Sequence, residues 1–173
     1  MVEIVTPRLR LIALDLRHLR LMAQSRQYLE KALDLFPFEL QIDPEIAQEI
    51  HQAIDFWLMR VESNPSRYAW YTHWEIVLTE KNHSIGGIGM SGFPDEDGKT
   101  MVGYVIDDRF HNQGFATESL EYLSRWAGEE EKLQYLVAET PLENRSSQRV
   151  LEKNGFTETG KYDQTSLWER HFP

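Results

Sequence analysis

Seven consecutive residues, His111-Asn112-Gln113-Gly114-Phe115-Ala116-Thr117, carry the ingredients of an anion site. They follow a strand-like run, Thr100–Asp107, and open a helix. A helix N-terminus offers unpaired backbone N–H groups and the positive end of the helix dipole, which suits a phosphate. Gly114 allows close backbone approach to an anion, and Ala116 is too small to block it. Glu118 in the first turn suits the same dipole, so a plain helix start is the competing account. A second run, Gly87-Ile88-Gly89-Met90-Ser91-Gly92, has the literal spacing of a dinucleotide-binding loop. That loop needs a strand before it and a helix after it. These glycines lie within a strand pattern and lead into Phe93-Pro94, so they read as a bulge or a close backbone approach. The six histidines (18, 51, 73, 83, 111 and 171) show no metal-ligand spacing, and cysteine is absent, so no metal site is expected.

The elements around these motifs follow from periodicity. Leu9 and Leu11 alternate with Arg8, Arg10 and Ile12 as an opening strand. Asp15 caps a helix that breaks near Ser25 and resumes to about Leu33. Leu35-Phe36-Pro37-Phe38 is an apolar loop. Asp43-Pro44 starts a helix carrying Ile46, Ile50, Ile54 and Val61 at helical spacing, ended by Asn64-Pro65. Period-two runs at Trp70–Leu78, Ser84–Phe93 and Thr100–Asp107 predict an antiparallel meander. A helix over Gly114–Ala127, a strand over Tyr135–Thr140 and a helix over Asn144–Asn154 follow, with Gly155 as the left-handed stop. Two strands, near Phe156–Lys161 and Ser166–His171, close the chain. The sum is an α+β fold, one domain over 1–173. Its mixed, mostly antiparallel sheet has about six to seven strands, with helices on both faces.

At 173 residues the chain fits one domain. It lacks an apolar run long enough to span a membrane and a basic segment ahead of an apolar stretch, so a cytoplasmic protein with no membrane partner is expected. The net charge of −10 disfavours phosphate backbones, hence nucleic acid, and suits a cationic partner such as an amine. Residues 1–31 are the exception, with six basic groups against three acidic ones.

The run His111 to Ala116 resembles the pyrophosphate-binding signature of the GNAT superfamily of N-acetyltransferases, Gln/Arg-x-x-Gly-x-Gly/Ala. Asn144, Ser147 and the closing Gly155-Phe156 resemble the family's second landmark, 30 residues downstream of Gly114. The opening Thr6-Pro7-Arg8-Leu9-Arg10-Leu11 is similar to the branch containing the ribosomal-protein N-terminal acetyltransferases. The first signature position departs from the pattern: His111 stands where the family usually has Gln or Arg, and a neutral imidazole holds an anion less firmly than a guanidinium.

The resemblance implies acetyl-CoA as cosubstrate and a primary amine as acceptor, either a peptide or protein α-amine or a small molecule. It implies a sheet splayed between Thr100–Asp107 and Tyr135–Thr140. The pantetheine arm would lie in the gap against Val105 and Ile106, with Asn144 beside it, and the pyrophosphate on His111, Asn112, Gln113, Gly114, Phe115, Ala116 and Thr117. Ser147 would meet the sulfur. Other members place a tyrosine seven positions after the Asn, where this chain has Leu151. Glu139, five positions before Asn144, is the first candidate for the base that takes the amine's proton. Glu75, flanked by Trp74 and Ile76, is the second. Asp107 and Asp108 are unranked. Tyr28, Phe36, Phe38 and Trp57 fall where the family builds one wall of the acceptor site. A core role competes for Trp57, and exposed rings at Phe36 and Phe38 would be a recognition surface. A non-catalytic acyl-CoA sensor or partner subunit on the same fold is the alternative, as a monomer or homodimer.

Overall fold

The computed structural model describes all of residues 1–173. The chain runs β1 (Glu3–Val5), β2 (Leu9–Ala13), α1 (Leu16–Gln24), α2 (Arg26–Ala32), α3 (Pro44–Ser63), a 3-10 turn (Pro65–Trp70), β3 (His73–Leu78), β4 (His83–Met90) and β5 (Lys99–Ile106). A second 3-10 turn (Asp108–Phe110) leads to α4 (Phe115–Ala127), β6 (Tyr135–Pro141), α5 (Arg145–Lys153), β7 (Thr157–Tyr162) and β8 (Thr165–His171). The strands form one sheet in the order β1-β2-β3-β4-β5-β6-β8-β7. Every pair is antiparallel except β5 with β6.

This is the expected α+β architecture with eight strands instead of six to seven. The extra strand is β1, whose three residues are too few to show an alternation. The predicted strand from Trp70 begins instead at His73. Pro65 starts a 3-10 turn that runs to Trp70, and Trp70 packs its ring at 5.1 Å from Trp126.

Two apolar layers flank the sheet. On one side Leu120 and Leu123 of α4 and Leu151 of α5 pack with Leu9, Leu11, Trp74, Ile76, Ile88, Ile106 and Leu136. On the other, Leu19 of α1, Leu29 of α2 and Val61 of α3 cover Ile12, Leu14 and Val77. The glycine-rich stretch of β4 serves close approach. The register slips between Ile76 and Val77 opposite Gly86, marking a bulge. A Cβ at Gly86 would lie 2.1 Å from the Val105 carbonyl oxygen, and one at Gly87 would lie 2.0 Å from the His73 ring.

The feature that positions a site is the end of the β5–β6 pairing. The two strands pair only over Lys99–Met101 and Tyr135–Val137. Beyond Met101 and Val137 the sheet opens, and the remainder of β5 up to Ile106 has no neighbour on that side.

Candidate functional site

A cleft of about 500 Å³ passes through this opening. Tyr104, Val105 and Ile106 of β5 line it. So do His111, Asn112, Gly114, Phe115, Ala116 and Thr117 from the turn into α4, and Asn144 and Ser147 from α5. Ile42, Asp43 and Ile46, at the start of α3, also line it. Because α3 and α5 lie on opposite faces of the sheet, the cleft connects both faces through the gap.

The backbone of β5 explains why the gap receives a ligand. Asp107 N–H donates to Ile85, and Ser91 N–H donates to Met101. Alternation along the Gly87–Val105 register then commits the polar groups of Val105 to β4 and turns those of Tyr104 and Ile106 into the gap. Tyr104 and the Ile106 N–H therefore present free backbone to the gap, the Ile106 carbonyl being engaged by His111, and Val105 contributes lining.

The turn before α4 is a nest of N–H groups. Asn112 (φ 60°) and Gly114 (φ 82°) are both left-handed. A helix N-terminus preceded by left-handed residues forms a concavity that suits an anion. Gly114 is the N-cap and makes no side-chain cap bond, so the first-turn N–H groups of α4 stay free. His111 does not point into this nest. Its Nε2 lies 2.8 Å from the Ile106 carbonyl, so the ring fastens the turn to the end of β5. Gln113 lies outside the cleft lining; its amide donates to the Arg109 carbonyl. The opening Thr6-Pro7-Arg8 motif braces the same turn. Glu118 accepts from Thr6 Oγ1 (2.6 Å), Arg8 N–H (2.9 Å) and Arg8 Nε (2.7 Å), and Arg8 Nη1 donates to the Gln113 carbonyl. Burial favours the protonated Glu118, but the Thr6 and Arg8 bonds outweigh it and lower its pKa.

At the other end of the cleft, Asn144 caps α5 by accepting from the Ser147 N–H at 3.0 Å, which leaves the Asn144 amide N–H groups free. The Ser147 hydroxyl stands 2.9 Å from Tyr104 Oη. Burial pushes the Tyr104 phenol up to about 12, against the Ser147 hydrogen bond, so it stays protonated. Leu151, the position where a tyrosine was sought, is buried in the core. A tyrosine hydroxyl reaches Ser147 from β5 instead. The alternation of Val102, Tyr104 and Ile106 held the signal for it: one phenol on an otherwise apolar strand face.

The two carboxylate candidates differ sharply. Glu139 lies two residues past Val137, on the splayed part of β6, and is exposed. It is outside the cleft lining, on the sheet face that carries Val137 and Met101. Hydrogen bonding to it, with burial and its negative charge, raises the pKa of the neighbouring Tyr162. Glu75 is fully buried. Arg26 Nη2 donates to it at 2.9 Å, His73 Nε2 lies 3.3 Å away, and the Ser84 hydroxyl also donates. Burial alone would raise its pKa, yet the Arg26 charge and the His73 bond hold it far below the usual carboxylate range. A carboxylate so stabilised and enclosed has no basicity to offer and no path to a substrate, so the base assignment for Glu75 gives way to a structural ion pair.

Asp107 is buried and braces the loop between α2 and α3. It accepts from Gln41 N–H at 2.6 Å and from Arg109 Nη2 at 2.7 Å. Asp108 carries no such bonds through its carboxylate beyond a 3.6 Å approach to His111. Phe38 is not a free recognition surface: its ring stacks on His83 at 3.9 Å and lies under the Arg109 guanidinium. Phe36 and Tyr28 are exposed, and Trp57 packs at 5.1 Å from His73. Sequence reading missed Arg149 and Lys153, which also line the cleft.

Comparison with known proteins places this geometry. The family model described as an acetyltransferase (GNAT) domain matches residues 8–157. An uncharacterized N-acetyltransferase, YjdG, of Bacillus subtilis is 30% identical over 98 residues, 57% of this chain and 58% of that protein, so the match spans less than two thirds of the relative. The fold is similar to that of RimL, a ribosomal L7/L12 α-N-protein acetyltransferase solved in complex with coenzyme A. The TM-score is 0.69 at 17% identity, covering 98% of this chain and 97% of that one. It is also similar to the ribosomal-protein-S5-alanine acetyltransferase of Vibrio fischeri (TM-score 0.67, 14% identity, 99% and 97% covered). With a family model spanning most of its length, this chain belongs to the GNAT acetyltransferase family.

Proposed function

We propose that the protein is an N-acetyltransferase that moves the acetyl group of acetyl-CoA to a primary amine, in the manner of the ribosomal-protein acetyltransferases it resembles in fold. The observation that carries this reading is one continuous cleft. It has an anion nest at the α4 end, free strand backbone at Tyr104 and the Ile106 N–H, and a Tyr104–Ser147 hydroxyl pair at the gap. The residues fit the donor: the nest suits a pyrophosphate, and the open edge of β5 suits an extended amide-bearing arm. When bound, acetyl-CoA supplies an acetyl thioester.

The roles of this chain's own groups follow. The N–H groups from Asn112 to Thr117 hold the phosphates. Tyr104 and Ile106 orient the arm by backbone bonds, with Asn144 donating from the facing helix. Tyr104 stays protonated. Its hydroxyl reaches both the Ser147 carbonyl (3.3 Å) and Ser147 Oγ (2.9 Å), and when it donates to Oγ the Ser147 proton is free for the sulfur as negative charge develops there. The amine approaches from the α3 face, where Glu139 receives its proton. Asp43 in the cleft lining and Glu139 on the same side of the sheet give that face a negative charge that favours a cationic acceptor.

The test is an acceptor screen with acetyl-CoA, reading thiol release. The reading expects thiol formed in step with acetylated peptide α-amine or small amine. Binding of acetyl-CoA without release for any amine would favour a sensor instead.

A further inference from the structure

Arg60 of α3 has a buried donor with nothing to hold. Its Nε is enclosed and has no hydrogen-bond partner. Arg26 Nε shares that state, but the rest of the Arg26 guanidinium is bound to Glu75. Arg60 makes no ion pair. Its guanidinium lies 4.6 Å from the Tyr71 ring and 5.7 Å from that of Phe56. Ring faces hold a cation in place but do not satisfy the N–H groups in its plane. A buried donor without an acceptor is costly, and an acceptor brought by a ligand would remove that cost.

The surroundings of Arg60 specify the ligand. Ile46, Ile50, Ala53, Trp57 and Arg60 share one face of α3. Ile46 lines the cleft, Trp57 packs on His73, and Arg60 Nη2 stands 3.4 Å from where a Gly92 Cβ would lie. This face of α3 therefore runs from the cleft to Gly92. The Gly92 carbonyl accepts from Thr100 Oγ1 at 2.7 Å, so Arg60 borders β5 at the residue before Met101. The helices on this side pack over Ile12 and Val77, which leaves the β5–β6–β8 half of the face uncovered. Met101 and Gly103 there are exposed, and Val137 and Leu167 are half-buried beside them. Gly103 precedes Tyr104 at the gap, and nothing lies within 4 Å of where its Cβ would stand. An amine at the gap, near Glu139, is thus followed by an open apolar sheet surface and then by the Arg60 guanidinium. Thr100 and Gly103 are three strand residues, about 10 Å, apart, which an extended peptide spans in the same number of residues.

We propose that Arg60 is a specificity residue for the acceptor: it takes the carboxylate of an acidic side chain at the third or fourth position of a peptide whose N-terminal amine sits at the gap. The acceptor class is therefore a protein or peptide N-terminus followed by an acidic residue. The proposal rests on the acetyltransferase reading given above.

The experiment is steady-state kinetics of the full chain with acetyl-CoA and C-terminally amidated tetrapeptides that differ only in carrying glutamate, glutamine or lysine at the third and fourth positions. For the parent, the glutamate peptide should have a KM about 10-fold below that of the glutamine peptide at similar kcat, the worth of one charge-assisted bond. Arg60→Gln should bring the two to the glutamine level, and Arg60→Glu should shift the preference to the lysine peptide, with melting to check that each variant folds. Arg17→Gln removes an exposed cation on α1 and should leave the preference intact. The comparison of peptides in the parent needs no variant. Equal KM values there, or a preference that survives Arg60→Gln, overturns the proposal. Thiol release with small amines but with no peptide overturns it while leaving the acetyltransferase reading standing, and release with no amine of any kind overturns both.

Discussion

The Tyr104 hydroxyl meets Ser147 Oγ at 2.9 Å, joining β5 to α5 across the mouth of the gap. The two hydroxyls act as one donor chain, so removing either should cost about the same as removing both. Ser147→Ala should lower kcat by about 10- to 100-fold with donor KM nearly unchanged, since the bond strengthens as charge develops on sulfur. Tyr104→Phe should act in the same direction. Because the phenol keeps its proton up to about 12, that variant should leave the shape of the pH–rate profile near neutrality unaltered. Steady-state kinetics of the two variants and their double mutant check this, and additive losses would separate the hydroxyls.

Glu139→Gln preserves shape and removes basicity. With Glu139 receiving the amine proton, the variant should lose most of its rate and the acidic limb of kcat/KM against pH. The acceptor's own pKa is varied in parallel, using amines of different basicity, so that the enzyme limb is separated from the substrate's. A parent-like profile for Glu139→Gln would leave positioning of the neutral amine as the source of rate.

Glu75 predicts stability instead of activity. Its folded pKa is depressed, so its ion pair with Arg26 contributes fully above the ordinary glutamate pKa, about 4.3. The contribution fades as the pH falls below that value and the unfolded chain takes up the proton first. Glu75→Gln puts a neutral buried group opposite Arg26, 29% exposed, leaves it only the Glu30 carboxylate at 3.4 Å, and should destabilise by about 2–3 kcal/mol near neutrality. Thermal melts should show the gap between parent and variant narrowing as the pH is lowered. A constant gap down to low pH would contradict the ion-pair account.

Much of the fold was legible because its elements are local. Asp15, Asp43 and Asn144 sit at helix starts and cap them as a short-range pattern predicts. Loop residues around Gly114 likewise announce a helix N-terminus. What escaped depends on distant partners. Arg26 is 49 residues from Glu75, so nothing near Glu75 showed that it was neutralised. His111 was read as a weak anion ligand because its real partner, the Ile106 carbonyl, is backbone and carries no sequence signal. Tyr104 sits between Val102 and Ile106 on an apolar strand face, and only the position of α5 brings Ser147 to its hydroxyl. Arg149 and Lys153 carry no local pattern that marks them, and only the placement of α5 brings them to the cleft.

The central claim is that the nest before α4 holds the donor's pyrophosphate, and calorimetric titration of acetyl-CoA against Gly114 variants tests it most directly. Gly114 has φ 82°, so any side chain adds strain of roughly 1–2 kcal/mol; Gly114→Ala measures that cost alone, and melting checks that each variant folds. A glutamate there adds a negative charge at the nest. The parent should bind acetyl-CoA and, at about 100 times Kd, gain about 2.7 kcal/mol of stability. Gly114→Ala should bind more weakly, and folded Gly114→Glu should show no measurable heat of binding. Parent-like affinity in a folded Gly114→Glu would put the phosphates elsewhere and contradict the account.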